Sequence, residues 1–559
     1  MAQPPILADA PDTPRADPAF PTLSASQMAR IAPHGRTRHV AAGEVLVHEG
    51  LAPTQLFVVV AGRIDAVRQV TQVEELVATF GPGTFTGEAG ILAGRRRFVE
   101  LRAGVASEVI EIGRDDLLAL IQTDSELSDV LMRTFLVRAV RMVARGVGDV
   151  VLVGSTHDQG TLRIREFLTR NGHPYTSLDL DHDATAQEML DRFHVGPGEI
   201  PVVICRSDVV LRNPSVQRLA DCLGLNDAID QTQIRDLVII GAGPSGLGAA
   251  VYAASEGLNV LVVEASAPGG QAGSSSRIEN YLGFPTGVSG RELAARAYTQ
   301  ALKFGAQVMI GLNATRLACD RTPYAIEIDN GQTVPARTVI IAAGAEYRRL
   351  GIANLSRFEG AGVYYAATFM EAQLCGGEEV AVVGGGNSAG QAAVFLAESA
   401  KRVHIVIRSD GLAETMSRYL IRRIQEHPAI TCHIRTEIVG LEGDSHLETI
   451  QWRDSRTGAV ETHAIRHVFS MTGAVPSTAW LGGCLALDAK GFIKTGSDLS
   501  PDDLASGPWA LGRRPHLLET SLPGVFAVGD VRSGSMKRVA SAVGEGANAV
   551  AAIHQVLAN

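Results

Sequence analysis

From Leu23 to Arg114 short apolar runs of β-forming residues alternate with glycine turns, as in GEVLVHEG, QLFVVVAGRIDAVRQV, LVATFGPGTFTGEAG and SEVIEIGR. This pattern predicts a small β-barrel or jelly roll. Between Asp115 and Arg145 the period changes, and LLALI and LMRTFLVRAVRMV place apolar residues at helical spacing, which predicts one long helix packed on that barrel. The next stretch opens with the apolar DVVLVGS, passes through LRIREFLTRNG to YTSLDLD, and reaches IPVVIC before a last amphipathic run. A β-α-β start followed by a strand after a proline predicts a small α/β domain over 148–234. From Asp236 onward two strand, glycine-loop, helix units, DLVIIGAGPSGLGAAVYAA and EVAVVGGGNSAGQAAVFLA, stand about 140 residues apart. Two such units imply two dinucleotide sites.

Length adds that the chain is multidomain, because 559 residues exceed what one core supports. A net charge of −10 argues against nucleic acid or an anionic membrane surface as a partner. No apolar run is long enough to span a bilayer and the N-terminus carries no cationic start before an apolar stretch, so a cytoplasmic protein is expected, with residues 1–21 as a disordered tail. The six cysteines, Cys205, Cys222, Cys319, Cys375, Cys432 and Cys484, form no Cys-x-x-Cys motif. Neither a metal cage nor a disulfide framework is expected.

In the first unit the strand runs straight into Gly241-x-Gly243-x-x-Gly246, with Pro244 and Ser245 inside the loop, and an Ala-rich helix follows. The first glycine permits the turn, the second lets backbone N–H groups approach a pyrophosphate, and the third lets helix and strand pack closely. The second strand, NVLVVEA, ends on Glu264, 23 residues after Gly241, suited to a ribose 2′-hydroxyl. The second loop is Gly384-x-Gly386-x-x-Ala389, with Asn387 and Ser388 as loop candidates. After its next strand the acid is replaced by Ile407, followed by Arg408 and Ser409. A guanidinium and a hydroxyl without the acid favour a 2′-phosphate, hence NADPH over NADH. Arg418 can add charge; Arg422 reads equally as a solvated helix residue, and Asp410 nearby works against the phosphate.

These features, with PGGQ at Pro268–Gln271, IENYLGFP at Ile278–Pro285, IIAAGA ending at Ala345, VVGGGNSA, GVFAVGDVR and KRVASAVGEG, resemble the low-molecular-weight thioredoxin reductases over 235–559. The resemblance implies two Rossmann-like α/β domains, an FAD domain from 235–347 and 473–559 and an inserted NADPH domain at 348–472, and a homodimer. It implies that Gly270, Gln271 and Asn280 lie along the FAD, that Gly529 and Asp530 serve the ribityl chain, and that Arg538, Val539 and Ala540 border the isoalloxazine. The sequence departs from the family where its redox Cys-x-x-Cys pair would stand. In GVYYAATFMEAQLC those positions hold Ala366 or Ala367 and Phe369 or Met370. No catalytic side chain is therefore assigned, and Cys375 reads as a small buried hydrophobe.

Residues 22–147 resemble a cyclic-nucleotide-binding domain through TFTGEAGILAGRRRFVELRA. The resemblance implies Gly87 and Glu88 at the ribose and Arg97 at the cyclic phosphate. Phe98 and Val99 follow where small or hydroxyl residues are expected, which leaves open a barrel kept for packing or dimerisation. No helix-turn-helix pattern follows it. Residues 148–234 resemble a thioredoxin or glutaredoxin fold, with Ile200-Pro201 at the place of its cis-proline and GSTHDQGT, holding Ser155 and Asp158, in place of its Cys-x-x-Cys.

The reading is an NADPH-dependent flavoprotein oxidoreductase whose flavin reduces an external acceptor directly, whether a thioredoxin-like protein, a ferredoxin, a quinone or oxygen. The alternative is a redox or nucleotide sensor with little turnover.

Overall fold

The computed structural model describes residues 17–48, 55–70, 73–87, 91–92, 99–144, 150–156, 158–181, 183, 190, 196–205, 209–275, 277–278, 280–359, 361–365, 367, 369–412, 416–505, 509 and 511–558. The chain forms two compact units, Met1–Gly148 and Asp149–Asn559. Among the described residues no helix is long and apolar enough to cross a membrane.

The first unit is a β structure of two antiparallel sheets. One orders Arg36–Val40, Ser107–Gly113 and Gln55–Ala61; the other orders Val45–Val47, Glu100–Ala103, Ile64–Val70 and Val73–Phe80. Inward residues such as Phe57, Val59, Ile64, Leu101 and Val109 share one core. The single long helix expected after them is two, Arg114–Thr123 and Ser125–Ala144. Asp124 makes the break: its backbone is extended and its carboxylate accepts from Leu127 N at 3.0 Å. A short acidic side chain caps a new helix better than it continues an old one.

Arg138 on the second helix organises this unit. Its guanidinium is buried and donates to Ala19 O at 2.8 Å, Gly87 O at 2.7 Å and Phe85 O at 2.9 Å. The same group sits 5.1–5.3 Å from the ring centres of Phe20, Phe80 and Phe85.

The second unit begins with a four-stranded sheet ordered Val209–Arg212, Val202–Cys205, Val150–Gly154, Thr176–Asp179, flanked by the helices Gln159–Arg170 and Val216–Leu223. The Ile200–Pro201 peptide is cis, and a Cβ on Gly160 would lie 2.7 Å from Pro201 Cδ. The main sheet follows. Gln307–Ile310, Val260–Glu264, Arg235–Ile240, Thr333–Ile341 and Val525–Ala527 pair in parallel, and Tyr324–Ile328 and Ala314–Ala318 add an antiparallel edge. Parallel strands covered on both faces need continuous apolar runs. Accordingly, Val260–Glu264 is buried along its whole length.

A second parallel sheet, ordered Val363–Tyr364, His467–Ser470, Glu379–Val383, Arg402–Val406, Ile430–His433, lies between the two pieces of the first in sequence. The chain enters and leaves it through the antiparallel ribbon of Ala345–Tyr347 and Ala474–Pro476. Cys319 and Cys484 form a disulfide, 165 residues apart, packed against the core of the first sheet. This corrects the expectation of no disulfide. The pair is hidden by spacing, because the whole inserted sheet separates its members.

Replacing Arg138 by Met removes three charge-assisted bonds and a cation–π cluster while keeping most of the volume. The first unit should lose about 2–4 kcal/mol. Amide exchange of Gln55–Ala61 and Ser107–Gly113 should accelerate while exchange in Arg235–Ile240 stays unchanged; uniform acceleration, or none, contradicts this role.

Candidate functional site

A cleft of about 1980 Å³ opens in the second unit, and the ends of three helices line it. Pro244–Ser255 starts after Gly243, Asn387–Leu396 after Gly386, and Val539–Leu557 after Arg538. None of these starts has a side-chain cap or an acidic residue in its first turn. Their first N–H groups and the positive ends of their dipoles are left for anions.

The glycines explain how backbone comes so close. Gly241 has φ +101°, and a Cβ there would lie 2.4 Å from Ala342 O. A Cβ on Gly246 would lie 1.9 Å from Gly241 O, so that residue allows helix and strand to meet. Gly243 is different: a Cβ there would meet nothing within 4 Å but Gly270 Cα, at 3.9 Å, so the loop is open toward the cleft. In the second loop Gly384 would place a Cβ 2.4 Å from Met471 O, whereas Gly386 faces open space.

Glu264 is buried and ties this loop together. One oxygen accepts from Ala242 N at 2.7 Å, the other from Ser266 N at 2.9 Å and Ala267 N at 3.1 Å. A carboxylate offers about four acceptor positions, so capacity remains for a ribose hydroxyl. Gly270 and Gln271 line the cleft, and the Gln271 amide donates to Ala345 O.

Asp530 also lines the cleft and sits in the turn Gly529–Val531. Burial raises its pKa above the usual carboxylate range and Glu545 adds to this, while Lys537 opposes it. Glu545 holds the turn, accepting from Gly529 N at 2.7 Å and from Arg532 Nη2 at 2.6 Å. Sequence reading missed Glu545 because it lies inside a helix, 16 residues from the glycine it serves.

Arg408 and Ser409 line the cleft beyond the second loop. Arg408 is exposed, the Ser409 hydroxyl donates to Gly411 O at 3.0 Å, and Asp410 is paired with Arg435. The acid that would repel a phosphate is thus engaged elsewhere. Arg418 opens the helix Arg418–Glu426, is exposed and does not line the cleft. Asn280 and Ala540 are exposed and also lie outside the lining, as does Gly529, while Gly246 and Ala389 are buried beneath their loops.

None of the six cysteines lines the cleft. Cys375 is fully buried, and burial pushes its thiol up to about 11. Ala367 is half-buried; Ala366 lies outside the described residues, and Phe369 and Met370 belong to the helix Phe369–Leu374. Tyr365, in the lining, donates to Glu359 Oε1 at 2.7 Å, and desolvation raises its phenol pKa. The cleft wall also holds residues of the small α/β module, among them Arg165 and Arg170, which no glycine motif announces. In the first unit Gly87 has φ +97° and its carbonyl is taken by Arg138. Glu88 and Arg97 lie outside the described residues. Among the described residues no group of three or more side chains is placed to hold a metal ion.

Replacing Glu545 by Ala should loosen the Gly529 turn and lower FAD affinity on the order of tenfold, read as flavin retained per chain after gel filtration. Unchanged retention would show that the turn holds itself.

Residues 235–546 match the family described as Pyridine nucleotide-disulphide oxidoreductase, and residues 37–124 match the Cyclic nucleotide-binding domain. The chain is 33% identical over 315 residues to a thioredoxin reductase of Ureaplasma parvum, covering 56% of this chain and 94% of that one. It is 30% identical over 325 residues to that of Bacillus subtilis, covering 58% and 95%. Among solved structures, thioredoxin reductase from T. acidophilum superposes with a TM-score of 0.52 at 29% identity, over 58% of this chain and 99% of that one. The Lactococcus lactis enzyme gives 0.52 at 28% identity, over 58% and 99%. The open Gly243 and Gly386 loops, the buried Glu264 and the three uncapped helix ends fit the FAD and NADPH that thioredoxin reductases use. The chain belongs to the pyridine nucleotide-disulphide oxidoreductases, as a thioredoxin-reductase-like FAD and NADPH protein joined to an N-terminal cyclic nucleotide-binding domain.

Proposed function

We propose that this chain is an NADPH-dependent oxidoreductase that hands electrons from its flavin directly to an acceptor outside the chain, without a thiol relay. The observation that carries this reading is the cleft itself, shared by both glycine loops and lined by no cysteine. Bound FAD supplies the two-electron chemistry between the nicotinamide and the acceptor.

In this reading the protein's own groups bind, orient and set the local potential. The N-terminus of Pro244–Ser255 takes one diphosphate and Glu264 the adjoining ribose, and Asp530 takes a ribityl hydroxyl. The N-terminus of Val539–Leu557 would stabilise negative charge on the isoalloxazine. Arg408 and Ser409 take the 2′-phosphate of NADPH. In the same reading Asn280 and Ala540 would serve the FAD and Arg418 would add positive charge for the NADPH phosphate. Candidate acceptors are a thioredoxin-like protein, a ferredoxin, a quinone or oxygen, and a homodimer belongs to the same reading.

The segment 148–234 is read as a thioredoxin-like module without redox activity. Its strand order supports this, and so does the packing of Pro201 on Gly160 at the start of the helix Gln159–Arg170. Asp158, near the place of the missing thiols, caps that helix by accepting from Thr161 N at 2.7 Å.

Anaerobic NADPH should bleach the flavin, and reoxidation rates with a thioredoxin, a ferredoxin, a quinone and oxygen should separate the acceptors by orders of magnitude. A flavin that NADPH fails to bleach contradicts the oxidoreductase reading. Arg408→Glu should raise the KM for NADPH at least about tenfold with little change for NADH; equal effects on both would show that the 2′-phosphate lies elsewhere.

A further inference from the structure

The helix Gln159–Arg170 of the small α/β module forms part of the cleft wall, and the module is fastened there at several points. Arg170 Nη2 donates to Gly270 O at 2.7 Å and Asn171 Nδ2 to Ser266 O at 3.2 Å. Away from the cleft, the Asn226 side chain donates to Ile310 O at 2.9 Å and accepts from Ile310 N at 2.7 Å. Gly270, which Arg170 holds, lies directly against the first glycine loop: a Cβ on it would be 3.0 Å from Gly243 Cα. The module therefore sits next to the loop that takes the FAD diphosphate.

This helix is basic in a chain of net charge −10, with Arg163, Arg165 and Arg170 against the single acid Glu166. Two of the arginines are engaged. Arg163 donates to Asn213 Oδ1 at 3.0 Å and Pro214 O at 3.1 Å, and Arg170 to Gly270 O and to Glu166 at 3.2 Å. Arg165 is half-buried in the cleft lining, and its Nε is sealed from solvent without an acceptor among the described residues. The Nε of Arg170 is sealed likewise, but its Nη atoms are paired; an N–H sealed from solvent without an acceptor is costly, and the guanidinium fork matches phosphate oxygens.

We propose that Arg165 is an FAD-binding residue supplied by the small α/β module, pairing with the cofactor's diphosphate, and that Arg170 is a positioning residue that holds the Gly270 turn against the Gly243 loop. A module without a Cys-x-x-Cys pair of its own is thereby built into the flavin site. The inference rests on FAD as the occupant of the first glycine loop.

The test uses the full chain stripped of FAD and titrated with FAD, ADP, adenosine and NADPH. Arg165→Met should weaken FAD and ADP at least about tenfold and leave adenosine and NADPH unchanged, while Arg165→Lys should recover part of the loss. Arg170→Met should weaken FAD through the loop, with Arg165 still contributing the same salt dependence. For any variant that melts early, the ratio of ADP to adenosine affinity carries the result, because partial unfolding lowers both alike. Unchanged FAD and ADP affinity, equal losses for ADP and adenosine, or a loss confined to NADPH would each overturn the proposal. A wild-type chain that takes up ADP but not FAD would instead contradict the flavin assignment.

Discussion

Three helix N-termini opening without caps on one cleft are the constraint around which the second unit is built. An unfilled first turn leaves donors unsatisfied and a positive end exposed. That arrangement is a liability for a packed interior and an asset only where anionic ligands arrive. The other features follow from bringing three such ends together. Glycines stand where any side chain would collide with backbone, at Gly241 and Gly246 against Ala342 and Gly241 carbonyls. Gly546 does the same for the last helix, where a Cβ would lie 2.3 Å from Ser245 O.

Carboxylates then hold the loops that the glycines permit. Glu264 accepts three backbone N–H groups around the first loop, and Glu545 fixes the Gly529 turn through one N–H and Arg532. Glu519 serves a neighbouring turn in the same way, fully buried and bound by both Nη atoms of Arg513 at 2.6 and 2.9 Å. Glu264 and Glu545 bind N–H groups near the start of Pro244–Ser255 without neutralising it. The Cys319–Cys484 disulfide ties together the two sequence pieces of the first sheet, which the inserted sheet separates.

The glycine loops and their strands were legible because their requirements are local. A turn with positive φ, an open loop position and a close helix contact each demand glycine at fixed spacing, and Gly241, Gly243 and Gly246 fill those roles in that order. What escaped depends on partners far apart in sequence. The disulfide spans 165 residues, Arg170 reaches 100 residues to Gly270, and Glu545 looks like any helix acid until Gly529 is beside it. The split at Asp124 escaped for another reason: helical spacing resumes on both sides of the polar run Gln122–Glu126, inside which one side chain prefers to cap.

In the proposed function reducing equivalents reach the flavin and pass outward from there, with no thiol pair between. Each disulfide in communication with the flavin would take two electrons, the content of one NADPH. The direct measurement is therefore an anaerobic titration that counts NADPH consumed per FAD together with thiols newly open to alkylation. Full bleaching is expected at one equivalent, with Cys319 and Cys484 still joined and no new thiols. Consumption of two equivalents, with two thiols appearing, would contradict it.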